Sequence, residues 1–252
     1  MVLYKSKGIV LRSMRYGEAD RILDLYTPER GLVSTIAKGI RRTKSRFGGR
    51  LEPLSCVDFL AYGGRTLDTI TQAEVLRSFH GVREDLARLE VAGSMVATVR
   101  ALAGGDEADR RLFNLLYHAL DALETRAAGH EAMRSAFALK LSTLAGYAPQ
   151  LDACLTCDLD LNEADAGILY YAPDLGGALC KECRSENPAG DAFPVPPGTL
   201  AALRALMSRP LKEVFLENGL EDGVRRVVSA HVLAHAPGTA ALSARPSSLR
   251  LA

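Results

Sequence analysis

No run of apolar residues in this 252-residue chain reaches the roughly 18 needed to cross a bilayer. The opening stretch, Met1-Val-Leu-Tyr-Lys-Ser-Lys-Gly-Ile-Val10, alternates apolar and polar residues and holds neither a signal-peptide apolar core nor a cleavage site. A cytoplasmic protein with reduced thiols is therefore expected. Catalytic signatures are missing as well. There is no Gly-x-x-x-x-Gly-Lys-Ser/Thr phosphate loop, no Gly-x-Gly-x-x-Gly, no Gly-x-Ser-x-Gly elbow, and no His-x-Glu upstream of a Pro-Cys-x-x-Cys. Internal repeats and coiled-coil heptads are also lacking, which excludes solenoids. A binding protein is expected, not an enzyme, and a monomer is the default.

Net charge is scarce too, only +1, but it is unevenly placed. Residues 1–80 carry 14 Lys+Arg against 8 Asp+Glu, a balance of +6, which leaves 17 against 22, or −5, for the remainder. A basic N-terminal part implies an anionic partner for that part. Its centre is Lys38 to Arg50, with six cations (Lys38, Arg41, Arg42, Lys44, Arg46 and Arg50) and no acid. Such cations neutralise phosphates, and Gly39, Gly48 and Gly49 let the backbone come close to a sugar-phosphate chain. Phe47 either stacks on a base or anchors the segment to the fold. Nothing here reads as a base-recognition helix, so contacts are expected to go to the nucleic-acid backbone with little sequence preference.

Around this segment the first 80 residues read as five short strands. Leu3–Leu11 alternates and breaks at Arg15-Tyr16-Gly17-Glu18. Residues 22–26 and 32–36 flank the turn Pro28-Glu29-Arg30-Gly31, and 55–62 and 67–76 flank Gly63-Gly64. Five strands with a long connection after the third predict an OB-fold barrel over 1–80. From about residue 82 the period changes to 3.6. Leu86, Leu89, Val96, Val99 and Leu102 predict one helix ended by Gly104-Gly105. Leu112 to Leu123 and Met133 to Leu144 predict two more. Leu200 to Met207 and Asp222 to Ala236 continue the helical pattern, giving an α-helical domain over 81–236. The Ala/Ser-rich stretch 237–252 reads as a flexible tail. The fold class expected is α+β with two domains.

Cysteine is rare, five in all, yet four fall in two Cys-x-x-Cys pairs, Cys154/Cys157 and Cys180/Cys183, with 22 residues between them. Two tight turns joined by a hairpin-sized insert suit a tetrahedral Zn2+, and four thiolates leave no position for a metal-bound water. One structural zinc in a module over 151–187 is expected. Two disulfides or four unrelated buried thiols are the competing readings. Cys56, in the apolar run 56–60, reads as a small core residue. His231-x-x-x-His235 shares one helix face at i, i+4, but the glutamate that a zincin carries after its first histidine is missing. Asp20 and Asp24 share a strand face and, with Arg21 between them, read as edge charges.

Four stretches carry a resemblance. They are Ala37-Lys-Gly to Arg42 and Lys44-Ser-Arg-Phe-Gly-Gly49 with Leu51-Glu-Pro53; Gly146-Tyr-Ala-Pro-Gln-Leu-Asp-Ala-Cys154-Leu-Thr-Cys157; Tyr171-Ala-Pro-Asp-Leu-Gly-Gly-Ala-Leu-Cys180-Lys-Glu-Cys183; and Arg209-Pro-Leu-Lys-Glu-Val-Phe215. In this order they resemble the RecO family of bacterial recombination mediators. The resemblance implies an OB-fold followed by a helical domain that often carries zinc. It implies binding to single- and double-stranded DNA, annealing of complementary strands and, with RecR, loading of RecA onto DNA coated by single-strand-binding protein, in the cytoplasm at the nucleoid. It places Lys38, Arg41, Arg42, Lys44, Arg46 and Arg50 on the family's loop motif and the four cysteines on its zinc motif. Asp158 departs from the glycine that many cysteine knuckles carry after the second cysteine. The alternatives weighed against this are an RNA-binding module built from an OB-fold and a zinc ribbon, and a metal-dependent nuclease using Asp20 and Asp24.

Overall fold

The computed structural model describes residues 2–45, 47–103, 108–161, 168–186 and 190–235. The stretch 237–252, Arg46 and the Gly104-Gly105 helix end lie outside them. The chain is α+β and divides into two compact units, Met1–Ala92 with Ala103–Thr125, and Gly93–Leu102 with Arg126–Ala252.

The first unit is built on β1 (Leu3–Tyr16), β2 (Asp20–Thr27), β3 (Gly31–Ala37), β4 (Cys56–Tyr62) and β5 (Asp68–Arg77), closed into a barrel of order β1-β2-β3-β5-β4. Every pairing is antiparallel except β3 with β5, where Thr35 faces Asp68 and Ile36 faces Thr69. That order, with one parallel closure, is the OB type. Closure works because β1 is long enough to serve two neighbours. Its first half pairs with β4 (Leu3 with Tyr62 to Ile9 with Cys56), and its second half with β2.

The break expected over Arg15-Tyr16-Gly17-Glu18 falls in its second half. A bulge between Val10 and Arg12 shifts the register without ending it, and pairing runs on to Tyr16 opposite Asp20. The turn begins at Gly17, whose φ of +56° glycine adopts without strain. Inside the barrel, Val10, Leu23, Leu25, Val57, Phe59, Ala61 and Ile70 form one buried cluster. Cys56 is buried in β4, as a small core residue should be, and burial pushes its thiol up to about 11.

In the same unit α1 (His80–Glu84) and α3 (Arg110–Glu124) adjoin the barrel. Asp109 caps α3, its side chain accepting the Arg111 N–H at 2.7 Å. The Glu124 carboxylate accepts the Gly81 and Val82 N–H groups at the start of α1, at 3.2 and 2.9 Å. Helix α2 (Leu86–Leu102) departs from the expected stripe. Leu86 is exposed, and the buried side is Val91, Ala92, Met95, Val96 and Val99.

The second unit contains α4 (His130–Leu144), α6 (Thr199–Ser208) and α7 (Glu221–His235). Met133, Phe137 and Leu141 of α4, Leu203 and Leu206 of α6, and Val224, Val227 and Val228 of α7 are buried. Between α4 and α6 the chain forms a small sheet of order β7-β6-β8, from β6 (Tyr170–Ala172), β7 (Gly177–Leu179) and β8 (Phe193–Pro194), with the short helix α5 (Lys181–Glu186). The four cysteines sit in and beside this sheet. Among the described residues, no helix is long and apolar enough to cross a membrane.

Candidate nucleic-acid interface and metal centre

The β3–β4 connection leaves the barrel with its cations outward and its apolar residues inward. Lys38, Arg41, Arg42, Lys44 and Arg50 are exposed; Arg46 lies outside the described residues. Phe47 and Leu51 are each 1% exposed and belong to the barrel's core cluster. Of the two roles open to Phe47, the structure assigns the anchor. A ring sealed in the core has no face for a base, so the stacking role is withdrawn. Apolar Phe47 and Leu51 pull the segment onto the barrel, and each buried aromatic or leucine contributes about 1.5–3 kcal/mol of transfer free energy to that docking.

Short hydrogen bonds fix the start of the loop to the β1–β2 turn. The Gly39 N–H donates to Asp20 Oδ1 at 2.7 Å, the Arg41 N–H donates to the Ala19 carbonyl at 2.9 Å, and Arg41 Nη1 donates to the Glu18 carbonyl at 3.0 Å. Lys38, Arg42 and Lys44 have no side-chain partner among the described residues. The acid that follows the loop, Glu52, lies 3.7 Å from Arg21. Asp20 and Asp24 do not converge on a shared site. Asp20 holds Gly39, while Asp24, buried in β2, accepts the Ser34 hydroxyl at 2.9 Å.

In the second unit the four sulfurs of Cys154, Cys157, Cys180 and Cys183 all lie within 4.8 Å of one another. A tetrahedron with metal–sulfur bonds of about 2.3 Å has sulfur–sulfur edges of about 3.8 Å. Cys157 Sγ and Cys180 Sγ are 3.8 Å apart, and the four are free thiols. Backbone geometry explains the convergence. Cys154 and Cys157 span a turn closed by the Asp158 N–H donating to the Cys154 carbonyl at 3.1 Å. Cys180 follows β7, and α5 then raises Cys183 on its first turn. Leu155 N–H donates to the Ala178 carbonyl at 3.0 Å, joining the two halves. Gly177 is required at that junction, because a Cβ there would stand 2.7 Å from the Gln150 carbonyl oxygen. Asp158 occupies the left-handed region at φ +58°, which aspartate tolerates better than most residues. The turn is formed with it in place.

The electrostatics fit a cation. Burial opposes charge on Cys154, but the backbone N–H groups of Cys180, Thr156 and Cys157 outweigh it and bring the thiol down to about 6. Burial pushes Cys180 up; Cys183 is raised through its contacts with the Cys157 and Cys180 sulfurs. Cys154 thus releases its proton easily while Cys180 and Cys183 resist, an arrangement that a divalent ion resolves. The set suits one structural metal ion.

The histidines of α7 take no part in it. His231 is 1% exposed, with Nδ1 2.7 Å from the Tyr171 hydroxyl and Nε2 2.8 Å from the Tyr147 carbonyl oxygen. His235 stacks on the Tyr147 ring at 5.2 Å. This network was not foreseen; Tyr147, Tyr171 and His231 are 24 and 60 residues apart in sequence and carry no shared spacing signal.

A closed five-stranded barrel presenting an acid-free cationic loop, together with a helical unit holding a four-thiolate centre, defines a two-unit class of protein built on an OB-type barrel. The family "Recombination protein O N terminal" matches residues 1–79, and "Recombination protein O C terminal" matches residues 83–239. The chain belongs to the RecO family. A protein described as DNA repair protein RecO from Rubrobacter xylanophilus is 62% identical over 243 residues, covering 96% of each chain. Relatives of the same description are 39% identical in Pelotomaculum thermopropionicum, over 86% of this chain and 81% of theirs, and 33% identical in Symbiobacterium thermophilum, over 93% and 92%.

Proposed function

We propose that this chain acts in DNA repair as a non-enzymatic recombination mediator. It binds single- and double-stranded DNA through Lys38, Arg41, Arg42, Lys44, Arg46 and Arg50, and it anneals complementary strands. With RecR it promotes RecA loading on DNA coated by single-strand-binding protein, in the cytoplasm at the nucleoid. The observation that carries this reading is the loop itself. Five cations face solvent, Glu52 just after the loop lies 3.7 Å from Arg21, and the apolar Phe47 and Leu51 are turned into the core.

Annealing requires two polyanions to approach with their bases free. A loop that screens phosphates without reading base edges lowers the repulsion and leaves the pairing faces available. The four-cysteine centre takes one Zn2+, which braces the second unit and supplies no chemistry. The domains are taken as an OB-fold over 1–80 and a helical domain over 81–236, with the zinc module over 151–187.

The test is DNA binding across a salt series. Neutralising four to six phosphates predicts that log K falls with log salt at a slope of about −3 to −4 on single strands. Replacing Arg41, Arg42, Lys44 and Arg46 with alanine is expected to flatten that slope and weaken binding to every sequence by a similar factor. A wild-type slope near zero removes the electrostatic account.

A further inference from the structure

The four sulfur ligands of the metal centre are not equivalent. Cys154, Cys180 and Cys183 are each 5% exposed or less, and Cys56, the fifth cysteine, is buried in β4. Cys157 is exposed, and so are Thr156 and Asp158 on either side of it. The turn that carries it is the cause. Leu155, donating to the Ala178 carbonyl, holds the start of the turn against β7. The Asp158 N–H closes the turn on the Cys154 carbonyl, and the left-handed φ of Asp158 leads the chain away again, which leaves Cys157 at the outer corner.

Zn2+ has no redox chemistry of its own, but a ligand set made of thiolates can give up electrons. Oxidation follows thiolate character and access. Coordination gives all four sulfurs the first, so access decides among them, and access singles out Cys157. Its sulfur also has a partner within reach, because Cys180 Sγ lies 3.8 Å away in the other Cys-x-x-Cys pair. Cys154 is less free to move toward it. The backbone N–H groups of Cys180, Thr156 and Cys157 all donate to the Cys154 sulfur, whereas the Cys180 sulfur receives the Cys183 N–H at 3.5 Å.

We propose that Cys157 is a reversible oxidation site, at which a peroxide converts the metal centre into a Cys157–Cys180 disulfide and releases the ion. The proposal rests on the zinc reading above and goes beyond it. The Cys157 sulfur attacks the peroxide: a sulfur–oxygen bond forms, the oxygen–oxygen bond breaks, and hydroxide leaves, which makes a sulfenic acid. The Cys180 sulfur then attacks the Cys157 sulfur: the disulfide forms, the sulfur–oxygen bond breaks, and a second hydroxide leaves. Two electrons have passed from the sulfur pair to the peroxide, and two protons from solvent turn the hydroxides into water. Each Cys-x-x-Cys pair has then lost one ligand, and the two sulfurs that remain are too few for a closed tetrahedral site. A dithiol reverses the step by thiol–disulfide exchange. Cys56, sealed in the barrel, takes no part.

Hydrogen peroxide added to the purified whole chain tests this, with zinc release followed by a chromogenic chelator and free thiols counted before and after. Elemental analysis of the untreated protein comes first, and absence of zinc there overturns the zinc reading and this proposal with it. With zinc present, the expected result is loss of the bound ion and of two of the five free thiols, both restored by dithiothreitol and added Zn2+. Cleavage at the acidic residues that separate Cys157, Cys180 and Cys183, then mass spectrometry without reduction, should find Cys157 joined to Cys180. Cys157→His offers a nitrogen that zinc accepts and peroxide spares, so this variant should keep its ion under the treatment that empties wild type. If the variant holds no zinc, the wild-type disulfide map decides alone. Wild-type zinc and thiols that survive peroxide, a disulfide other than Cys157–Cys180, or release from zinc-loaded Cys157→His as fast as from wild type each overturn the oxidation site and leave the structural zinc standing.

Discussion

His231 and Tyr171 meet at 2.7 Å in the buried part of the second unit, with the imidazole Nδ1 accepting the phenol proton. The direction follows from the other nitrogen. Nε2 lies 2.8 Å from the Tyr147 carbonyl oxygen, which can only accept, so Nε2 carries the hydrogen and Nδ1 is the acceptor. Burial pushes the Tyr171 phenol up, keeping its proton in place to donate. One neutral histidine thereby ties α7 to β6 of the cysteine module and to the segment after α4.

That neutrality has a pH signature. Burial, partly offset by the Tyr147 carbonyl, lowers His231 from 6.5 to about 4. Between those values the unfolded chain binds a proton that the folded chain refuses, so stability is complete above about pH 6.5 and lost as pH falls toward 4. The loss is on the order of 2–3 kcal/mol. His231→Gln can still donate and accept but cannot titrate. Urea midpoints at pH 7 and pH 5 should fall more for wild type than for this variant. Acid also weakens metal binding by thiolates, but both proteins share that contribution. Equal falls would mean that His231 does not titrate with folding.

Phe47 separates anchoring from stacking. Truncating a core aromatic costs about 3–5 kcal/mol, so Phe47→Ala should lower the thermal midpoint by several degrees. Phe47→Leu, which keeps most of the volume, should recover most of it. Loss of DNA affinity with an unchanged midpoint would reverse the assignment and make the ring a stacking platform.

Much of this was legible because the determining signals are local. Alternation, the Pro28–Gly31 turn and the long third connection are read directly from sequence, and they yield the five strands. Two Cys-x-x-Cys pairs announce their own convergence. The missed features depend on neighbours that sequence order does not reveal. The bulge after Val10 carries β1 past its apparent end, so Tyr16 became a strand residue only once β2 was seen beside it. Leu86 fits a helical stripe, yet it is exposed, since α2 buries Val91, Ala92, Met95, Val96 and Val99 on another side. His231 has the i, i+4 spacing of a metal pair but not its glutamate; its role is set by Tyr147 and Tyr171, which no spacing rule connects to it.

Arg41 and Arg42 are adjacent, exposed and of one type, yet they should not respond alike to lysine. Arg41 Nη1 is held by the Glu18 carbonyl at 3.0 Å, leaving the rest of its fork free for a phosphate. Lysine is a point charge that cannot serve both partners in that fixed geometry. Arg42 has no side-chain partner among the described residues, so it works as a charge alone. Arg41→Lys is expected to weaken single-strand binding about 3- to 10-fold, as the loss of one charge-assisted hydrogen bond allows, and Arg42→Lys less than twofold. Anisotropy titrations of the two variants decide it; equal effects would mean that Arg41 is not preorganised by the turn.

Metal removal should act on one unit. Four sulfurs within 4.8 Å of one another suit a single cation, so the arrangement around Cys154 and Cys180 is expected to loosen when it is removed. Structural zinc contributes about 10–16 kcal/mol of apparent binding free energy in small modules, most of which is folding energy. Elemental analysis is expected to give one zinc per chain, and Cys154→Ser or Cys180→Ser to abolish it and lower the thermal midpoint. Cys157 is the exposed sulfur of the four, so alkylation should begin there once a chelator has opened the centre. The barrel has its own core and no thiol in the centre, so the chelated protein should retain the salt-dependent DNA binding assigned to the loop. Retention of both metal content and thermal midpoint in Cys154→Ser would refute the centre, whereas loss of DNA binding on chelation alone would show that the ion supports more than the unit that holds it.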